Sequence, residues 1–95
     1  MFRVIDRRDT GKTKTLLKEC SITGGIFICK HPYKVVDKCY SYGIDSSNIL
    51  PLGYSDALKY LKKEIDKNVY IDEIEEFVSF IIGSSNLKGY SLTNE

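Results

Sequence analysis

The chain has no tryptophan, only two prolines, a single histidine and three cysteines among its 95 residues. Each shortage excludes something. Cys20, Cys29 and Cys39 stand nine and ten residues apart without a Cys-x-x-Cys pair, which argues against a zinc site and against a disulfide framework. No secretory leader pattern precedes them, so reduced, packed thiols in a cytoplasmic protein of a bacterial or phage-infected host cell are expected. No apolar run approaches the ~20 residues of a membrane span, and no membrane partner is expected. The lone histidine, His31, sits beside Pro32 and reads as a loop residue or helix cap rather than a base. Arginine is absent after Arg8.

What is present is ordinary for a folded protein: 42% hydrophobic and 28% charged residues, enough apolar material for a packed core. The length fits one domain spanning residues 1–95. A domain of this size buries only about 60–65% of its unfolded surface, so its stability margin is expected to be thin. The net charge of +1 argues against a generic nucleic-acid or membrane binder. That total hides a dipole. Residues 1–40 hold nine Lys/Arg against four Asp/Glu (+5), and residues 41–95 hold five against nine (−4). An anion site belongs in the basic half.

Alternating patterns run along the chain. Phe2–Asp6 reads as a short strand, broken by the polar run Arg7 to Gly11. Leu16, Leu17 and Cys20 recur at helical spacing between Thr13 and Ile22, and Thr23-Gly24-Gly25 stops that helix. Gly25–Cys29 is a compact apolar run, as in a strand buried on both faces. Pro32 suits the first turn of a second helix, with Val35, Val36, Cys39 and Tyr40 on one face and Gly43 as its left-handed cap. Ile49–Leu52, interrupted by Pro51, predicts a very short or edge strand.

Ser55 is placed to cap a third helix, with Tyr54, Ala57, Leu58, Leu61 and Ile65 as its stripe and Lys59, Lys62 and Lys63 outward. Val69–Ile71 is an apolar strand running into Asp72-Glu73. Ile74, Phe77, Val78 and Ile81 then mark a fourth helix closed by Gly83, and Lys88–Leu92 reads as a last short strand. Alternating strands and helices predict a three-layer α/β/α fold around a mostly parallel sheet of four to five strands.

The chemistry concentrates in two places. Gly11-Lys12-Thr13 stands where a strand and loop give way to a helix, the position at which backbone N–H groups point at an anion. Lysine adds positive charge for β/γ-phosphates, and the Thr13 hydroxyl suits Mg²⁺. Asp72 and Glu73 arrive at the C-terminal end of a strand, the edge where α/β sheets bind ligands. Asp72 is placed to hold a metal through water and Glu73 to polarise an attacking water. The competing reading is a helix start with a solvated lysine, plus an acidic helix N-terminus of the kind the macrodipole favours.

Together these motifs resemble the Walker A and Walker B sequences of P-loop nucleoside triphosphatases, in the branch with glutamate directly after the Walker B aspartate. The similarity runs from Phe2 to about Phe77. The loop Arg8-Asp9-Thr10-Gly11-Lys12-Thr13 also looks like that of small P-loop proteins of bacteriophages and mobile elements. The resemblance implies Mg²⁺ with ATP or GTP as cofactor, held by Thr10, Gly11, Lys12, Thr13 and Lys14. It implies Thr13 and Asp72 on the metal, Glu73 as the catalytic residue, and a role in DNA transactions.

The departures are specific. Asp6 stands where the pattern wants its first glycine, bringing a Cβ and a negative charge toward a polyphosphate, with Arg7 and Arg8 as compensation. Lys14 replaces a frequent second Ser/Thr, and only three apolar residues follow Asn68. A sensor residue falls at Ser91 or Thr93 if the last strand forms. An arginine finger would come in trans from Arg3, Arg7 or Arg8 of a neighbouring copy.

Two further readings belong to other classes. A degenerate P-loop fold would serve as a non-enzymatic interaction module, an inhibitor or assembly factor, binding a host or phage protein. Tyr40, Tyr42, Tyr54 and Tyr60 would be its surface, unless they are ordinary half-buried rings. A basic patch of Arg7, Arg8, Lys14 and Lys18 would instead serve nucleic acid.

Overall fold

The computed structural model describes residues 11–62, 66–83, 87–89 and 91. The strand expected over Phe2–Asp6 lies outside them, as do Arg7, Arg8 and Thr10. The described chain is α/β, built around one short strand, β1 (Gly25–Ile28). Ile26, Phe27 and Ile28 are essentially inaccessible to solvent, because β1 is central in its sheet and helices cover both faces. A strand in that setting must be apolar at every position.

On one side β1 pairs in parallel with β2 (Ile49–Leu52), from Gly25 opposite Ile49 to Ile28 opposite Leu52. On the other it pairs in parallel with β3 (Val69–Ile71), from Ile26 opposite Val69 to Ile28 opposite Ile71. Among the described residues the sheet therefore has three strands, in the order β2-β1-β3.

Pro51 is tolerated in β2 for a geometric reason. The carbonyls of Asn48 and Leu52 accept from Gly25 (3.1 Å) and Cys29 (3.0 Å), so odd-numbered Pro51 turns its missing donor away from β1. The expectation of an edge strand holds among the described residues.

Two clusters lie on opposite faces of the sheet. On one, Phe27 and Cys29 meet Leu16, Leu17 and Cys20 of α1 (Lys12–Thr23), Val35 and Cys39 of α2 (Val35–Tyr42), and Ile49. On the other, Ile26 and Ile28 meet Tyr54 and Ala57 of α3 (Tyr54–Leu61) and Phe77 of α4 (Ile74–Ile82). Each β1 side chain goes to the face its pleat dictates.

Glycine is needed at Gly25. Its φ is 148°, and a β-carbon there would stand 2.4 Å from the Asn68 carbonyl oxygen. That oxygen accepts the Ile26 N–H at 2.8 Å. Gly43 and Gly83 end α2 and α4 in the left-handed conformation, as the sequence predicts.

Several sequence expectations need correction. Ser55 does not cap α3. Gly53 does, and Tyr54 is the first helical residue because its ring is drawn inward against Phe77 and Phe80, at centroid distances of 5.2 and 5.8 Å. Buried Tyr54 is thus no part of an exposed tyrosine surface, whereas Tyr40 is 89% exposed. On α2, Val35 and Cys39 are buried but Val36 and Tyr40 are not. A two-turn helix lying on α1 and β1 buries one narrow stripe, and those residues are one position further round.

In α4, Ile74 and Ile81 are about half exposed, leaving Phe77 as the buried anchor. Leu87, Lys88, Gly89 and Ser91 are not in a strand; Tyr90 and Leu92 lie outside the described residues, as do Ile65, Lys63 and Thr93. Cys20, Cys29 and Cys39 are free and buried.

Two predictions follow from this packing. Gly25→Ala should cost about 2 kcal/mol or more, by strained backbone and displacement of the β1–β3 ladder, read from denaturant unfolding. Burial raises the pKa of all three thiols, that of Cys20 to about 11. Native protein should therefore alkylate slowly with iodoacetamide at neutral pH, and all three thiols should react once urea unfolds it.

Candidate functional site

The C-terminal ends of β1 and β3 meet the N-terminus of α1. After β1 the chain passes to α2 on one face of the sheet. After β3 it passes to α4 on the other face. Adjacent parallel strands whose following helices take opposite faces open a crevice between them.

Gly11 precedes α1 in the left-handed conformation, φ 81°, ψ 23°. Its carbonyl accepts both the N–H and the hydroxyl of Thr15, each at 3.0 Å. Among the described residues no side chain caps this end, and the first-turn N–H groups of a helix have no intrahelical acceptor. Lys12 is the first helical residue. Thr13, next along, donates its hydroxyl to the Asp72 carboxylate, 3.1 Å to Oδ2 and 3.4 Å to Oδ1. Residues 59 apart in sequence are thereby joined.

Asp72 is held from several sides. Its N–H donates to the Ile28 carbonyl at 2.9 Å, extending the ladder one residue beyond β3. Its own carbonyl accepts from the Tyr54 hydroxyl at 3.4 Å. Burial pushes the Asp72 carboxyl pKa up. The Thr13 hydroxyl opposes that shift, the Glu73 charge adds to it, and the ammoniums of Lys38 and Lys12 oppose it. Burial likewise raises the Tyr54 hydroxyl to about 12, helped by the charges of Glu76, Asp72, Cys29 and Glu73.

Glu73 has φ 57° and ψ 67°, the one positive φ outside glycine among the described residues. Only Asp72 and Glu73 separate β3 from α4, and the turn forces a glutamate into a conformation costing about 1–2 kcal/mol.

Of these groups, Thr13, Tyr54, Asp72 and Glu73 line a cavity of about 240 Å³. Thr13 and Leu17 of α1, with Phe27 and Cys29 after them, form one part of its wall. Lys30 and His31 follow β1, and Val35 and Lys38 come from α2. Tyr54, Asp72, Glu73 and Glu76 complete it. Lysines thus enter from the β1–α2 side and carboxylates from the β3–α4 side.

A larger, open hollow of about 450 Å³ lies at the opposite ends of the strands, by Gly24, Gly25, Asp66, Lys67 and Asn68. Its charged groups among the described residues are Asp66 and Lys67, neighbours in sequence. The smaller cavity is the better candidate, because charged side chains of α2, α4 and the connections after β1 and β3 converge there.

Of the residues expected at the site, Thr13, Asp72 and Glu73 line this cavity, whereas Gly11 and Lys12, at the start of α1, are not part of its lining. Thr10 lies outside the described residues. Lys14 points elsewhere, with its ammonium over the Tyr42 ring, 5.7 Å from the centroid. Sequence reasoning missed Lys38 and Tyr54. Lys38 carries no motif, and Tyr54 reads as one member of an amphipathic stripe.

No family model, curated protein or solved structure matches this chain. The residues themselves must carry the functional reading.

Among the described residues no group of three or more His, Cys, Asp or Glu could cage a metal. A hydroxyl and a carboxylate 3.1 Å apart suit an ion such as Mg²⁺, which takes one or two protein ligands and completes its shell with phosphate oxygens and water.

The raised Asp72 pKa has a signed consequence. A carboxyl that binds its proton more tightly when folded stabilises the fold at low pH, and that contribution fades as pH rises from the ordinary value of 3.8 through the folded value. Asp72→Asn keeps an acceptor for Thr13 and removes the partly buried charge. It should raise the unfolding midpoint at pH 7 by a few degrees and flatten its decline as pH rises above the ordinary carboxyl value of 3.8, as differential scanning fluorimetry would show.

Proposed function

We propose that this chain binds a nucleoside triphosphate, ATP or GTP, together with Mg²⁺, through a P-loop-type site, and that it hydrolyses the nucleotide weakly. The observation that carries this reading is the Thr13–Asp72 hydrogen bond. It joins the helix-start hydroxyl to the strand-end carboxylate, the two groups that would share the metal.

In this reading the α1 N–H groups and Lys12 bind phosphate oxygens, and Thr13 and Asp72 hold the metal. Bound Mg²⁺ supplies charge neutralisation on the phosphates. Glu73, on the cavity wall, orients a water and accepts its proton. The partly buried carboxylate of Asp72 gains from a cation that offsets its desolvation. The full domain would be a three-layer α/β/α unit of four to five strands, with the apolar pattern of Phe2–Asp6 as the further strand entering the loop. Its setting would be the cytoplasm of a bacterial or phage-infected host cell.

A second reading has a specific observation in its favour. Phe80, Ile81 and Ile82 of α4 are about half exposed, a surface suited to a non-enzymatic module that binds a host or phage protein.

Thermal unfolding separates the two. Mg²⁺-ATP or Mg²⁺-GTP in hundredfold excess over its Kd should stabilise the chain by about 2.7 kcal/mol, and Lys12→Ala should abolish the shift. Glu73→Gln should keep the shift and lose phosphate release. No shift at millimolar nucleotide would overturn the nucleotide reading and leave the interaction module.

A further inference from the structure

We propose that Lys38, on the wall of this cavity, is a phosphate-binding cation in addition to Lys12 at the start of α1, and that it favours a nucleoside triphosphate over a diphosphate; this rests on the nucleotide reading above. The phase of α2 puts it there. Val35 and Cys39 are buried, 3% and 0% exposed, which locks the helix against α1 and β1. Lys38 lies on the flank of that buried stripe and lines the cavity beside Val35.

Of the two lysines in the lining, Lys38 is carried on a helix, α2, whereas Lys30 lies in the connection after β1. Arginine is absent after Arg8, so among the described residues the basic side chains of this wall besides His31 are these two lysines.

Charge and size give the site its preference. Among the described residues the lining carries three carboxylates, Asp72, Glu73 and Glu76, against Lys30 and Lys38, so each lysine there counts for much of the positive charge a ligand would meet. Each added phosphate brings about one more negative charge, and losing one lysine therefore falls harder on a triphosphate than on a diphosphate. At about 240 Å³ the cavity is below the ~300 Å³ at which pockets for whole small molecules begin. It suits a polyphosphate with its metal, and inorganic triphosphate becomes a fair probe.

The test is isothermal titration of the whole chain, Lys38→Gln, Lys38→Arg and Lys12→Ala, with ATP, ADP and inorganic triphosphate at one fixed free Mg²⁺ concentration. Lys38 is exposed, so unfolding midpoints should match the parent. Lys38→Gln should weaken ATP and triphosphate about tenfold or more and ADP by less than about threefold, the scale of one charge-assisted hydrogen bond. Lys38→Arg, which keeps the charge, should stay within about threefold of the parent for all three.

Equal weakening of ATP and ADP, or no weakening where Lys12→Ala abolishes binding, would overturn the assignment of Lys38 alone. A parent chain that binds none of the three would overturn the nucleotide reading and this inference with it.

Discussion

β1 is the element on which the rest of the chain depends. Its backbone is shared between two parallel partners, and its side chains alternate between two helical layers. Four residues thereby hold both cores. The arrangement demands residues that are apolar on both faces and, at the entry, one with no side chain, because Gly25 passes against the Asn68 carbonyl. The same ladder sets the site, since its last bond, Asp72 N–H to Ile28 carbonyl, fixes where the carboxylate emerges.

The site is built against stability. A partly buried carboxylate with a raised pKa, a glutamate in a left-handed conformation and a helix start with no side-chain cap among the described residues each cost free energy in the free protein. They cluster at one sheet edge, where adjacent strands send their helices to opposite faces. An electrostatically unfavourable arrangement of this kind is one that a cation and an anion bound together, as in the proposed site, would relieve. An acidic helix N-terminus placed for the macrodipole accounts for Glu75 and Glu76. It does not account for Asp72 facing Thr13 across the crevice.

Much of the fold was legible because local rules act over short spans. The stops at Gly24, Gly43 and Gly83 need only the freedom of glycine at positive φ, and the continuous apolar run of β1 needs only burial on both faces. The errors came where a contact overrode a local signal. Ser55 is a good capping residue by type, yet the packing of Tyr54 on Phe77 and Phe80 starts the helix earlier. Val36 and Tyr40 are apolar or aromatic at helical spacing, but α2 meets its neighbours along too narrow a stripe to bury them.

The sequence by itself determined the alternation of helices and strands, the glycine punctuation and the residue types at both ends of the candidate site. All of these follow from backbone preference and hydrophobic period, which are properties of adjacent residues. Tertiary structure alone decided that Thr13 reaches Asp72, that Tyr54 turns inward to the Asp72 carbonyl, and that Lys38 rather than Lys14 lines the cavity. Those outcomes depend on strand order and on the face each crossover takes, and no local pattern encodes either, because both are set by how separate segments bury one shared strand.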